Sequence, residues 1–244
     1  MKLLVSGCSF SSGFGFTDAN IERSWPNQLA KRLGATLTNV AKTGYDNTGI
    51  FMNAMEQLTK EDFDICLLQI TQIDRLLISP NWHGPRMCRL EANITNGLLN
   101  DREYRQWCKT FILLNQSSEH WARLLKIINI VQNLIAQGKY IRFVNGSMDW
   151  DSALFNNPTQ SRFLKRLIDF DNIPDDEVDK LRNFVYNQTM SIDLNLWINP
   201  FDKFCGLTIQ RDNILPTDIH PGVKSHDTLT DLIYNYLTKD KINA

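Results

Sequence analysis

The 244-residue chain has almost no net charge: 26 Lys and Arg stand against 27 Asp and Glu, a formal −1. So balanced a chain lacks the basic footprint that nucleic-acid binding requires, and no nucleic-acid partner is expected. Glycine and proline are scarce too. Twelve glycines and eight prolines make about 8% of the sequence, below the roughly 12% usual in proteins, which excludes low-complexity and fibrous classes. No run approaches the roughly 18 apolar residues of a membrane span, so no membrane partner is expected either. The N-terminal MKLLVSGCSF is apolar only at Leu3, Leu4 and Val5 before Gly7 breaks it, which is not the pattern of a signal peptide. Five cysteines (Cys8, Cys66, Cys88, Cys108 and Cys205) form an odd count with no CxxC spacing. That argues against a disulfide framework and against a zinc site. Reduced thiols suit synthesis in the cytoplasm.

What is present is 43% hydrophobic sequence, enough to bury a full core. Lys2-Leu-Leu-Val-Ser6 is an apolar run halted by a glycine, the pattern of a buried strand and turn. A helix follows from Ser24, which can cap it, through Pro26, Leu29 and Leu33 to Gly34. Thr36 to Val40 is a second strand. Asp46 or Asn47 can cap a helix with Ile50, Ala54 and Leu58 on one face, and Ile65-Cys-Leu-Leu-Gln-Ile70 is a third, central strand. Further on, Ser118 can cap a helix carrying Trp121, Leu124, Leu125, Ile128, Val131 and Ile135. Tyr140 to Val144 is a fourth strand, and a last helix carries Leu229, Leu232, Ile233, Tyr236 and Leu237. The alternation β-α-β-α-β with short connections predicts a parallel sheet, right-handed crossovers and helices on both faces. No repeat or Ser/Pro linker divides the chain. The expectation is one α/β domain over 1–244, a three-layer α/β/α sandwich, with insertions at about 79–118 and 147–215.

Two motifs can carry chemistry. Gly7-Cys8-Ser9-Phe10-Ser11-Ser12-Gly13 follows the first strand directly. In a doubly wound sheet, ligands bind at the C-terminal strand edge. A serine there, before a helix N-terminus, has an exposed hydroxyl and backbone N–H groups that can hold an oxyanion. The plain alternative is a connecting turn. No Gly-Lys-Ser/Thr follows, so it is not a P-loop, and Gly13-Phe-Gly15 lacks the third glycine of a dinucleotide fingerprint. The second motif is Asp218-Ile219-His220-Pro221, before the last helix. A serine nucleophile needs a base, and the base needs an acceptor to hold its tautomer; one tight loop supplies both.

Together the two motifs resemble those of the SGNH/GDSL hydrolase family. Gly7-Cys-Ser9-Phe resembles the family's Gly-Asp-Ser block, and Asn39-Val-Ala-Lys-Thr-Gly44-Tyr-Asp-Asn47 its second block. Asp64 to Thr71 lies where the third block begins, and Asp218-Ile-His220-Pro resembles the fifth. The likeness spans essentially the whole chain. Its combination of Cys-Ser-Phe, Ser-Trp-Pro, Gly-x-x-Asn, Gln-x-Thr-x-x-x-Arg and Asp-x-His-Pro is most similar to a subgroup encoded by bacteriophages and in surface-polysaccharide loci. The resemblance implies a flavodoxin-like parallel sheet and a serine esterase without metal or cofactor. Ser9 would be the nucleophile, His220 the base and Asp218 its orienting acid. The N–H groups of Ser9 and Gly44 would hold the oxyanion, with a third donor among Asn47, Thr71 and Gln72. It also implies a carbohydrate O-acyl ester as substrate, and particle association or self-assembly if the chain is phage-encoded.

Three departures from the family pattern bear on the activity. Cys8 replaces the block-one Asp. Thr71-Gln72-Ile73-Asp74 stands where the family has Gly-x-Asn-Asp, so the oxyanion-donating Asn is missing; losing one such donor costs about 10²–10³ in rate. Thr217 holds the family's usual acid position, three before the histidine, and Asp218 lies two before. A non-catalytic module that binds glycans or partner subunits is therefore the rival expectation. Arg75 either binds an acidic sugar or carboxylate or pairs with Asp74. His226 is expected to cap or pack, and His83 and His120 share no metal-ligand spacing. Trp82, Trp107, Trp150 and Trp197 fall in the insertions, as core or as sugar-stacking groups.

Overall fold

The computed structural model describes residues 1–17, 20–71, 75–78, 86–89, 117–146, 175–198 and 220–242. In chain order they form β1 (Lys2–Ser6), α1 (Ser9–Ser12), a 3₁₀ turn (Ile21–Arg23), α2 (Trp25–Leu33), β2 (Thr36–Asn39) and α3 (Asn47–Leu58). Next come β3 (Ile65–Ile70), β4 (Arg75–Ile78), β5 (Arg86–Arg89), α4 (Ser117–Ala136) and β6 (Ile141–Asn145). The chain ends with α5 (Asp175–Thr189), a 3₁₀ turn (Leu194–Leu196), β7 (Trp197–Ile198) and α6 (Val223–Ile242).

The main sheet runs β2-β1-β3-β6-β7, and every pairing in it is parallel. β4 and β5 form a separate antiparallel hairpin, with Arg75 opposite Arg89. β3 is central and buried along its whole length, as its unbroken apolar run requires. Its residues alternate between two cores. Cys66, Leu68 and Ile70 face Ala54 of α3 and Leu124, Leu125, Ile128 and Val131 of α4. Ile65 and Leu67 face Trp25 and Leu29 of α2 and Leu229, Ile233 and Leu237 of α6. From β1 the chain crosses to one side, to β2. From β2 it crosses back over β1, to β3. Right-handed crossovers in opposite directions put α2 and α3 on opposite faces. The point of reversal lies between the C-terminal ends of β1 and β3, where such sheets bind ligands.

The expected parallel α/β/α sandwich is therefore observed, with local differences. Ser24 sits at the N-cap of α2 but its side chain makes no cap bond. Its Oγ accepts from Asn27 Nδ2 at 2.8 Å, and the Trp25 N–H donates to His226 Nδ1 at 3.0 Å. Asp46, rather than Asn47, caps α3 by accepting from the Gly49 N–H at 2.7 Å. α4 begins at Ser117, so Ser118 lies inside it. β7 and the β4–β5 hairpin were not anticipated. β7 has only two residues, Trp197 and Ile198; Trp197 is core, stacked on Phe143 with centroids 4.7 Å apart.

Candidate active site

Ser9 is the first residue of α1, a one-turn helix opened by extended backbone at Cys8 and closed by Gly13 in the left-handed region at φ 77°. The sequence forces this turn. Gly7 and Gly13 bound the turn and three serines fill it, with Phe10 the one bulky side chain between β1 and the left-handed stop. As a first-turn residue, Ser9 has a backbone N–H with no partner inside the helix. Its carbonyl accepts from the Phe14 N–H at 3.2 Å. The residue is 4% exposed.

Beside this turn lies the stretch after β2. The Val40 N–H donates to Val5 O and the Lys42 N–H to Gly7 O, at 2.9 and 3.1 Å, so the parallel pairing of β2 on β1 runs on past Asn39. Asn39 Nδ2 donates to Ser11 O at 2.8 Å. The Ser12 and Thr43 hydroxyls lie 3.2 Å apart. Gly44 follows at φ 98°, half-buried, in backbone that favours glycine. Gly44 thus stands next to the Ser9 turn.

Of the third-donor candidates, Asn47 and Thr71 are bound to each other. The Thr71 N–H donates to Asn47 Oδ1 at 2.8 Å, and Asn47 Nδ2 donates to Thr71 O at 3.2 Å. This pair pins the start of α3 to the end of β3. It commits the Thr71 N–H and one amide hydrogen of Asn47. Gln72 lies outside the described residues. So do Thr217 and Asp218. Arg75 opens β4, and only its backbone is described.

His220, from the far end of the sequence, is brought to the same turn. Its ring lies 5.5 Å from the Phe10 ring, edge-on at 77°, and 4.4 Å from the Phe14 ring, tilted at 41°. These two phenylalanines bracket the α1 turn on either side of Ser11 and Ser12. His226 is elsewhere: buried, its Nδ1 taken by Trp25 and its ring edge-on to Phe16 at 5.0 Å. That is the capping and packing role expected of it.

The residue that sequence reasoning missed is Gln69. It is fully buried in β3, its Oε1 accepts from the Ser11 hydroxyl, and its Nε2 donates to Cys8 Sγ at 3.3 Å. It therefore grips the turn on both sides of Ser9, at Cys8 and at Ser11. Two glycines make room for it. A Cβ on Gly7 would stand 2.7 Å from Gln69 Oε1, and one on Gly146 would collide with Gln69 Nε2. The signal was in the sequence: one amide in an otherwise apolar central strand. Among the described residues, no cluster of His, Cys, Asp and Glu could hold a metal ion.

No protein-family model and no curated protein matches the chain. Solved structures do. The psychrotrophic esterase EstA from Pseudoalteromonas sp., in a structure inhibited by monoethylphosphonate, matches 100% of this chain and 99% of its own with a TM-score of 0.51 at 12% identity. The chain shares its fold with that esterase. TesA matches over 97% and 98% of the two chains, with a TM-score of 0.49 at 15% identity. A catalytic mutant of Axe2, an acetylxylan esterase from Geobacillus stearothermophilus, matches over 97% and 93%, at 0.45 and 12%. In this fold, the Ser9 turn, the Gly44 loop and His220 converge at the reversal of strand order. What the likeness fixes is the fold; the chemistry is argued from these residues.

Proposed function

We propose that the protein is a serine esterase that removes O-acyl groups, acetyl foremost, from a carbohydrate. The observation that carries this reading is the packing of His220 on Phe10 and Phe14, which places an imidazole at the turn that holds Ser9. The SGNH fold, and esterases among the solved structures that share it, support it. In acylation His220 takes the proton from Ser9 Oγ, which bonds to the ester carbonyl carbon. The backbone N–H groups of Ser9 and Gly44 face the developing oxyanion, with a third donor among the Asn47 amide, the Thr71 hydroxyl and Gln72. The carbon–alkoxy bond then breaks, and the imidazolium returns the proton to the departing alcohol. In deacylation water gives a proton to His220 and its hydroxyl to the carbonyl carbon. The Oγ–carbon bond breaks and Ser9 recovers its proton. Asp218 would steady the imidazolium that forms in each half.

The test is a p-nitrophenyl acyl series on the wild type and Ser9→Ala, with a fluorophosphonate probe located by mass spectrometry. We expect short acyl chains to be cleaved best, the adduct to sit on Ser9 rather than Ser11 or Ser12, and both signals to vanish in Ser9→Ala. Labelling that survives Ser9→Ala sinks the assignment. Activity should fall on acidification, because a protonated imidazole accepts no proton.

One observation favours a second reading. Ser9 is 4% exposed, which suits a virion or surface module that keeps the fold to bind glycans or partner subunits without turnover. A wild type with neither Ser9-dependent hydrolysis nor labelling would establish that reading instead.

A further inference from the structure

We propose that Phe14 is the platform that receives the alcohol half of the ester, a sugar ring laid against its open face; this rests on the esterase reading above. The chemistry fixes where the alcohol must be. In acylation the bond that breaks joins the carbonyl carbon to the alkoxy oxygen, and the proton that completes the alcohol comes from His220. The alkoxy oxygen therefore lies within hydrogen-bond reach of the imidazole, and the body of the alcohol lies against whatever is packed on that ring. The acyl half stays on Ser9 and leaves later, as the acid.

Among the described residues two rings pack on His220, and they differ. Phe10 is half-buried and leans into the core formed by Leu3, Val5 and Trp25. Phe14, closer at 4.4 Å, is 43% exposed. Phe14 is also held in place. Its N–H is bonded to the carbonyl of Ser9 itself, and it stands between Gly13 and Gly15, at φ 77° and 87°. Two left-handed glycines and that bond fix a tight turn that keeps a large apolar ring in solvent, tied to the nucleophile and touching the base. An aromatic face of this kind suits the C–H face of a pyranose, a flat apolar surface rimmed by hydroxyls. The exposed Lys42 and Thr43 nearby offer polar partners for that rim.

The experiment holds the acyl group constant and changes the alcohol. Phe14→Ala and Phe14→Trp are compared with wild type on an O-acetylated methyl glycoside and on ethyl acetate, whose alcohol is too small to reach the ring. Because Phe14 also packs on His220, Phe14→Ala should slow both esters and the breakdown of the acetyl-enzyme by a common factor. Beyond that shared loss, we expect kcat/KM on the glycoside to fall at least about tenfold relative to ethyl acetate, the scale set by one lost apolar contact. Phe14→Trp should restore the glycoside rate. An equal loss on both esters, or no loss on either, overturns the platform while leaving the esterase reading standing. Absence of Ser9-dependent hydrolysis in the wild type overturns both.

Discussion

An amide in the middle of a buried strand costs several kcal/mol unless both its ends are bonded. Gln69 meets that demand by binding Ser11 and Cys8, so the same contacts that let it be buried also set the turn between them. Gln69→Leu should thus do two things. It leaves the buried Ser11 hydroxyl without its acceptor, at a cost of about 1–3 kcal/mol read as a lower urea midpoint. It also loosens the Ser9 turn, so on the proposed esterase reading kcat should fall more than tenfold with KM near wild type. Equal kcat in a folded Gln69→Leu would deny the positioning role. The neighbouring Cys66 makes a contrasting prediction. Burial alone pushes its thiol up to about 12. The reactive species is the thiolate, so iodoacetamide at pH 8 should leave Cys66 untouched in the native protein and modify it in urea. Because the unfolded thiol ionises near 8.5, the unfolded state loses its proton first as pH rises. From about pH 9 to 12 this residue should erode stability by roughly 1.4 kcal/mol per unit, an erosion that Cys66→Ala removes. At this scale the Ser9 turn stood out in the sequence because small residues and glycines clustered after an apolar run. Gln69 did not, since nothing local says that a buried amide will meet a turn more than 50 residues away.

At the scale of elements, the helices and long strands were legible because their burial is periodic. Leu29 and Leu33, or Leu124, Leu125, Ile128 and Val131, can face one way only on a helix. Two kinds of feature escaped. β7 is two residues long, too short for any alternation to show, and it exists because Trp197 and Ile198 pair with Phe143 and Val144. The cap of α2 escaped as well. Ser24 satisfies the local capping pattern, yet His226 takes the Trp25 N–H across the α2–α6 interface. This makes α2 depend on α6 at its first turn. His226→Leu should leave the Trp25 N–H buried and unbonded, costing about 1–3 kcal/mol and several degrees of Tm. Ser24→Ala should cost less at this N–H, because the Ser24 side chain makes no cap bond. Thermal unfolding of the two variants, followed by circular dichroism, checks the order; a larger loss in Ser24→Ala would restore the local cap.

At the scale of the molecule, the alternation of elements and their short connections predicted a parallel sheet with helices on both faces; the order β2-β1-β3-β6-β7, which puts the candidate site at the β1–β3 reversal, is read from the structure. What holds the layers together is apolar. The two cores meet across a central strand with no exposed residue. The ion pairs among the described residues, Lys2–Glu61, Arg32–Asp231, Lys60–Glu56 and Lys139–Asp62, are all on the surface. Their electrostatics are real but local. Hydrogen bonding to Lys139 lowers the Asp62 carboxyl, Lys60 does the same for Glu56, and Glu61 raises the Lys2 ammonium. The signs follow. The carboxylate contributions exist above the usual carboxylate range and fade as pH falls through it, whereas that of Lys2 fades only in strong alkali. Each pair is open to solvent and to counterions, and with a net charge near −1 there is no long-range repulsion for salt to relieve. Raising NaCl from 0.05 to 0.5 M at pH 7 should therefore move Tm by no more than about 3 °C. A fall of 10 °C or more would mean that charge pairing, and not the apolar layers around β3, carries the fold.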